Sequence, residues 1–278
     1  MNARICAPMS HLDDPNDVEH LIHQLDQQFM GWSDPAARLM RALEQDELVL
    51  YAQPIVALRE PKTFSMAEVL LRLHEEEAAL LPPGVFLPLF EYFRLMPELD
   101  RWVARQTVTR LAESPRVACL SINISTQTLT DLEFVPELAA ELARAKVSSA
   151  SLVLEISEQD ALERSELVSG FAKSARAIGC RLTMDGFGRR SVSLAPLNAM
   201  RPDFVKVDGV IVRSLHASQS SRNKLNAIVQ IAKAIGASVI AECVEQDEAL
   251  VQLRAARVEY AQGFGIHVPA PINDVIGL

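Results

Sequence analysis

Six polar residues sit where apolar runs end. Asn123 lies in SINIS, Glu155 in LVLEIS, Asp185 in LTMD, Lys206 in VKVD, Glu242 in VIAE and Gln262 in YAQG. A charge at such a position is costly unless it is paired or working. Lys206 and Asp185 taken alone are equally well read as a buried ion pair that only holds the fold. Three acids, two amides and a lysine recurring at one level along the chain are hard to explain as packing. Oxygen ligands of this kind suit Mg²⁺ or Mn²⁺. A lysine beside them could hold a water or a phosphate oxygen.

These residues need strands to carry them to one place. Short apolar runs bounded by Gly and Pro read as buried strands. The pattern predicts strands over residues 48–56, 65–73, 118–124, 152–156, 181–185, 204–208, 238–242 and 260–263. Helices are expected over 35–45, 84–94, 98–112, 133–145, 161–178, 221–235 and 247–255, with a short helical piece before residue 204. Asp34 is the expected N-cap of the first helix, with Pro35 at its first position. Eight strands mostly separated by helices in about 250 residues suggest an α/β fold, a (β/α)8 barrel of the TIM type in a single domain. In such a barrel the carboxyl ends of the parallel strands converge on one face, where barrel enzymes keep their chemistry.

Composition narrows the partners. Leu, Val, Ile and Ala must build the core, because aromatics are 5% of the 278 residues. The 27 basic and 36 acidic residues leave a net charge of −9, which argues against binding a nucleic-acid polymer. A small anionic ligand stays compatible, because a metal ion or a few aimed arginines can overcome a weak overall field. The four cysteines, Cys6, Cys119, Cys180 and Cys243, form no C-x-x-C pair. With no secretory segment in MNARICAPMSHLDD and no apolar run of spanning length, reduced thiols and a cytoplasmic location are expected. Residues 1–33 read as an extension, partly helical or disordered, and 34–278 as the barrel domain. Within the extension, residues 18–29 could form an amphipathic helix with His20 and His23 on one face. A solvated face explains that pair better than a metal site.

Taken together the segments resemble the EAL domain, a bacterial family that hydrolyses cyclic di-GMP. YAQPIVAL is similar to the family's opening strand. AEVLLRL resembles its signature, with Val69 in place of the usual Ala. SINIS, LEISE, MDGFG, FVKVD, AECVE and AQGF follow in the family's order over about residues 36 to 272. The resemblance implies a barrel whose first strand runs antiparallel to the rest. It implies that Glu68, Asn123, Glu155 and Asp185 hold a first Mg²⁺ or Mn²⁺ ion, that Lys206 contacts the attacking water and that Glu242 is the acid near that water. Gln262 matches a polar site residue. Gln53 and Arg72 match groups near the dinucleotide, with Arg72 suited to a phosphate oxygen. Glu158 matches the acid that steadies the loop after the fifth predicted strand.

The departures from the family pattern shape the expected function. Active members carry two adjacent aspartates where this chain has Asp185–Gly186, so the first metal site is retained and the second is in doubt. Arg189–Arg190 replace a usual Thr-Gly, and Cys243 stands where Gly is usual. The expectation is a cyclic di-GMP receptor on a degenerate phosphodiesterase site, with weak or absent hydrolysis and with Arg189 and Arg190 as added phosphate grips. The alternatives are a working metal-dependent phosphodiesterase releasing linear pGpG, and a regulator that binds protein without nucleotide. Retention of Glu68, Asn123, Glu155, Lys206 and Glu242 argues against the last. The resemblance leaves room for a homodimer and for a protein partner in a signalling pathway.

Overall fold

The structure is a computed structural model that describes residues 34–59, 64–75, 79–81, 83–114, 119–189 and 192–277. The expected extension over residues 1–33, with its His20–His23 pair, lies outside the described residues, as does Arg190.

The strands are β1 (Leu48–Ala57), β2 (Phe64–Glu75), β3 (Ala79–Leu81), β4 (Cys119–Asn123), β5 (Leu152–Ser157), β6 (Arg181–Phe187), β7 (Phe204–Val207), β8 (Ser238–Ala241), β9 (Tyr260–Ala261) and β10 (Ala270–Pro271). Strands β4, β5 and β7 are buried on both faces over nearly all their length, as parallel strands under helices must be. Strands β2 and β4 to β9 pair in parallel in that order. β1 closes the ring by pairing antiparallel with both β2 and β9. The result is an eight-stranded barrel with one reversed strand, as expected. β3 and β10 add antiparallel to β2 and β1 outside the ring; both are too short to stand out in the sequence.

Helices clothe the barrel. They are α1 (Pro35–Glu44), α2 (Pro83–Tyr92), α3 (Met96–Glu113), α4 (Phe134–Ala145), α5 (Glu158–Glu163), α6 (Ser165–Ala177), α7 (Leu194–Met200), α8 (Gly209–Arg213), α9 (Gln219–Ile235), α10 (Asp247–Ala255) and α11 (Ile272–Ile276). α1 starts as its sequence dictates: the Asp34 carboxylate accepts from Ala37 N at 3.0 Å, with Pro35 behind it. The single helix expected over residues 161–178 is instead two. Ser157 caps α5 by accepting from Asp160 N, and the non-helical backbone of Arg164, at φ −131° and ψ 44°, breaks it from α6. Asp208, which the sequence placed at a strand end, caps α8 by accepting from Val210 N at 2.8 Å.

The barrel interior is layered. Side chains alternate inward and outward along a strand. Ile55, Met66, Cys119, Val153, Phe204 and Ile240 form one buried apolar cluster, with Tyr260 packed against it. Two residues further toward the carboxyl ends of the parallel strands come Glu68, Ser121, Glu155, Lys206, Glu242 and Gln262. On reversed β1 the same step leads from Ile55 to Gln53, which pairs with Glu68. An apolar floor and a polar level above it thus follow from one period-two pattern read on every strand. Asn123 and Asp185 stand one step higher again.

Candidate functional site

Lys206 is the centre of the polar level. Its side chain is fully buried, and Nζ donates to Glu155 Oε2 at 2.6 Å and Glu68 Oε2 at 2.8 Å, with Glu242 Oε1 at 3.6 Å. An uncompensated ammonium at that depth would cost several kcal/mol. Burial pushes the Lys206 ammonium down, but Glu155, Glu68, Glu242 and Asp185 together hold it well above the ordinary lysine range. It therefore stays charged.

The carboxylates around it divide. Burial pushes Glu68 up, but Lys206 and the donors Asn123 and Gln262 outweigh it and hold Glu68 below its ordinary value. Glu155 is driven the other way by burial, to about 7, with the charges of Glu68 and Asp185 adding to it against Lys206. Asp185 is raised by burial, and Glu242 is raised well above its usual range by burial and by the charge of Asp185. The two share a hydrogen bond, so in this arrangement one carboxyl must carry the proton.

The amides tie the level together. Asn123 Nδ2 donates to Glu68 Oε1 at 3.0 Å. Gln262 Nε2 donates to Glu68 Oε2 at 2.7 Å and to Gln53 Oε1 at 3.0 Å. Gln53 Nε2 in turn donates to His267 O at 2.9 Å, which holds the chain after β9 against β1.

Asp185 owes its position to a bulge. Met184 pairs with Val205 and Phe187 with Val207, so Asp185 and Gly186 together face the single residue Lys206. Gly186 takes φ +66°, and a Cβ added there would meet nothing within 4 Å. An extra residue of this kind bends the strand and re-aims a side chain. The next turn needs glycine for a different reason. Gly188 has φ +86°, and a Cβ on it would lie 2.8 Å from Ile228 Cδ1. Glu158, first residue of α5, accepts from Gly188 N at 3.1 Å and also from Arg189 N. Arg189 itself is exposed. Cys243, beside Glu242, has φ +52°, a left-handed conformation that glycine adopts without strain.

Arg72 stands four residues beyond Glu68 on the same face of β2. Its guanidinium carbon lies 5.2 Å from the centre of the Tyr51 ring, and Nη1 donates to Leu71 O at 2.6 Å.

Glu68, Asn123, Glu155, Asp185, Lys206, Glu242, Gln262 and Gln53 are thus brought together, while Glu158 acts on the neighbouring loop. Among the described residues no group of three or more acids, histidines or cysteines is gathered round a point fit for a metal ion; Lys206 Nζ lies between the carboxylates instead. The donor set nevertheless fits a hard cation. Glu155 Oε1 and Asp185 Oδ1 are buried with no hydrogen-bond donor, an expensive state for a carboxylate oxygen unless a cation claims it. Thr183 Oγ1, inward-facing on β6 beside Glu155, is also buried without a partner. Sequence reading missed it, because a Thr inside a strand looks like an ordinary strand former.

A family model described as EAL domain matches residues 36–269. The cyclic di-GMP phosphodiesterase PdeB of Shewanella oneidensis is 30% identical over 240 residues, which are 85% of this chain and 28% of that protein. The cyclic di-GMP phosphodiesterase PdeR of Escherichia coli is 31% identical over 247 residues, 86% of this chain and 36% of that one. The chain therefore spans about a third of the length of such curated relatives. Among solved structures, the FimX EAL domain from Pseudomonas aeruginosa bound to c-di-GMP is 29% identical. It superposes with a TM-score of 0.78, over 86% of this chain and 97% of that one. The PaMucR phosphodiesterase in its c-di-GMP complex shares the fold at a TM-score of 0.80 and 24% identity, over 87% and 99%. A match over nearly the whole barrel, on a ring closed by one reversed strand and a polar level built around Lys206, means that this chain belongs to the EAL domain family.

Proposed function

We propose that this chain binds cyclic di-GMP at the mouth of its barrel and hydrolyses it weakly or not at all. The bulge at Asp185–Gly186 carries the reading. It presents one carboxylate where the resemblance to the family's sequence pattern implies two, and Gly186 contributes no side-chain ligand. In this reading Glu68, Asn123, Glu155 and Asp185 hold one Mg²⁺ or Mn²⁺ ion, which when bound polarises a phosphodiester oxygen as a Lewis acid. Displacing bonds among these carboxylates and Lys206 is part of taking up that ion.

The chain's own residues then divide the work. Lys206, kept charged by its acids, donates to a water or to a phosphate oxygen. Glu242, holding or accepting a proton with Asp185, faces the same water. Gln53 and Gln262 fix the orientation of Glu68, and Arg72 grips a phosphate oxygen from the wall above. Glu158 clamps the backbone at Gly188 and Arg189, and in this reading the arginines of that stretch of sequence, Arg189 and Arg190, serve as added phosphate grips. An arginine can replace a cation's binding role through paired hydrogen bonds, but it cannot activate water as a metal does. Such an exchange favours holding the dinucleotide over cutting it.

A second reading is a working phosphodiesterase that releases linear pGpG. It is favoured by the complete polar level, since Lys206, Glu242 and every residue of the first donor set are present and linked in one chain of hydrogen bonds and ion pairs. Equilibrium binding of cyclic di-GMP with and without Mg²⁺, followed by a turnover assay, separates the two. Binding with little turnover supports the receptor; turnover at a rate usual for enzymes supports the phosphodiesterase. Loss of binding altogether refutes both.

A further inference from the structure

β1 and β2 pair from Leu48 and Leu73 through to Val56 and Phe64. On the inward face of this ribbon, the residues beyond Gln53 and Glu68 are Tyr51 and Val49 on one strand and Leu70 and Arg72 on the other. Leu48, Leu50, Ala52, Val69 and Leu73, on the opposite face, are buried in the main core. Tyr51 pairs with Leu70 and Val49 with Arg72, so Tyr51 and Arg72 are diagonal neighbours. That spacing, about 7–8 Å between backbones, is within reach of an aromatic ring and a long side chain. The contact forms: the guanidinium carbon lies 5.2 Å from the ring centre.

Arg72 is otherwise little engaged. Its hydrogen bond is to the carbonyl of the preceding residue, Leu71, and among the described residues no carboxylate is paired with it. A half-buried guanidinium with most of its donors unclaimed, resting on a ring and four residues beyond Glu68 on the same face, has donors to offer an anion that enters the mouth. An arginine loses rotamer entropy on gripping an anion, and a ring beneath it removes part of that loss beforehand.

We propose that Tyr51 is a positioning residue: its ring holds the Arg72 guanidinium over the barrel mouth, ready for a phosphodiester oxygen of the bound dinucleotide. The inference rests on the cyclic di-GMP reading above. Tyr51 acts through Arg72 and need not touch the ligand.

The test is equilibrium binding of cyclic di-GMP, with Tm followed in parallel, for the unaltered chain, Tyr51→Phe, Tyr51→Leu, Arg72→Gln and the double variant Tyr51→Leu/Arg72→Gln. Tyr51→Phe keeps the ring and is expected to bind within about twofold of the unaltered chain. Tyr51→Leu is expected to bind roughly five- to tenfold more weakly, from the usual strength of such a contact. In the double variant that penalty should vanish, leaving the affinity of Arg72→Gln alone. A further variant carries 3,4,5-trifluorophenylalanine at position 51, which keeps the ring's shape and weakens its negative face. It is expected to bind like Tyr51→Leu with an unchanged Tm, a response that a merely structural ring would not give. Unchanged affinity in Tyr51→Leu and in the fluorinated variant overturns the inference and leaves the receptor reading intact. A Tyr51→Leu penalty that persists in the Arg72→Gln background also overturns it, by showing that the ring contacts the ligand directly. Absence of cyclic di-GMP binding by the unaltered chain overturns both the inference and the function beneath it.

Discussion

Replacing Gly186 by aspartate adds the second carboxylate that the proposed loss of a metal site turns on, and the structure sets its cost. Space is available, since a Cβ at Gly186 meets nothing within 4 Å. The backbone is less accommodating. At φ +66° an L-residue is strained by roughly 1–2 kcal/mol, with aspartate at the tolerant end. Loss of glycine's unfolded-state freedom returns about 0.4–1 kcal/mol of that. The net effect is a destabilisation of about 1 kcal/mol or less, a fall in Tm of roughly 2–4 °C for a domain of this size. The gain is in the chemistry. If a second cation site supplies about 3 kcal/mol of transition-state stabilisation, hydrolysis rises about a hundredfold, at about 1.4 kcal/mol per tenfold. The assay is conversion of cyclic di-GMP to pGpG in Mg²⁺, followed chromatographically for the unaltered chain, Gly186→Asp and Gly186→Asn. The asparagine variant carries the same backbone strain without the charge, so it separates a ligand effect from a loop effect. Equal rates for Gly186→Asp and Gly186→Asn would refute the reasoning and turn attention to the loop bearing Arg189 and Arg190.

Three further outcomes are expected. Lys206→Met leaves Glu68 and Glu155 without the ammonium now 2.8 and 2.6 Å away; breaking a buried pair in this way costs roughly 3–5 kcal/mol, so Tm should fall steeply, and an unchanged Tm would show the ion cluster to be energetically idle. Asp100, on α3, accepts from Ser125 N at 2.9 Å and is raised by burial to about 6. The folded state therefore keeps a proton that the unfolded state loses near its ordinary value of 3.8, and stability falls as pH rises between those two values and is level above them. Between pH 5 and 7 the loss is roughly 1 kcal/mol, and Asp100→Asn should flatten that part of the denaturation profile; an identical slope in the variant would show that another group titrates. The Arg189→Ala, Arg190→Ala double variant should lose cyclic di-GMP affinity in chelator, and unchanged affinity there would leave the two arginines as surface charge.

The polar level was legible in the sequence because charges in short apolar runs are conspicuous: Lys206 in VKVD and Glu155 in LVLEIS could scarcely be missed. The barrel was legible for a related reason, since strands buried on both faces leave continuous apolar runs. Asp208 misled because a strand-end acid and a helix N-cap look alike until the following helix is seen to begin at Gly209. The bulge at Gly186 left no periodic trace, as two residues facing one cannot be told from a regular strand without its neighbour. Tyr51 and Thr183 passed as strand formers, and only the register of β1 against β2, and of β5 against β6, shows that they face inward. β10 pairs through two residues, too few for any pattern to register.

The most direct measurement is a single one. Cyclic di-GMP is mixed with excess protein in Mg²⁺ at neutral pH, and the bound fraction and the fraction converted to pGpG are read from the same sample over time. Saturating, persistent binding is expected, with conversion several powers of ten slower than the roughly 10 s⁻¹ usual for enzymes. Rapid conversion of all the bound ligand, or no binding, would contradict a receptor built on this barrel.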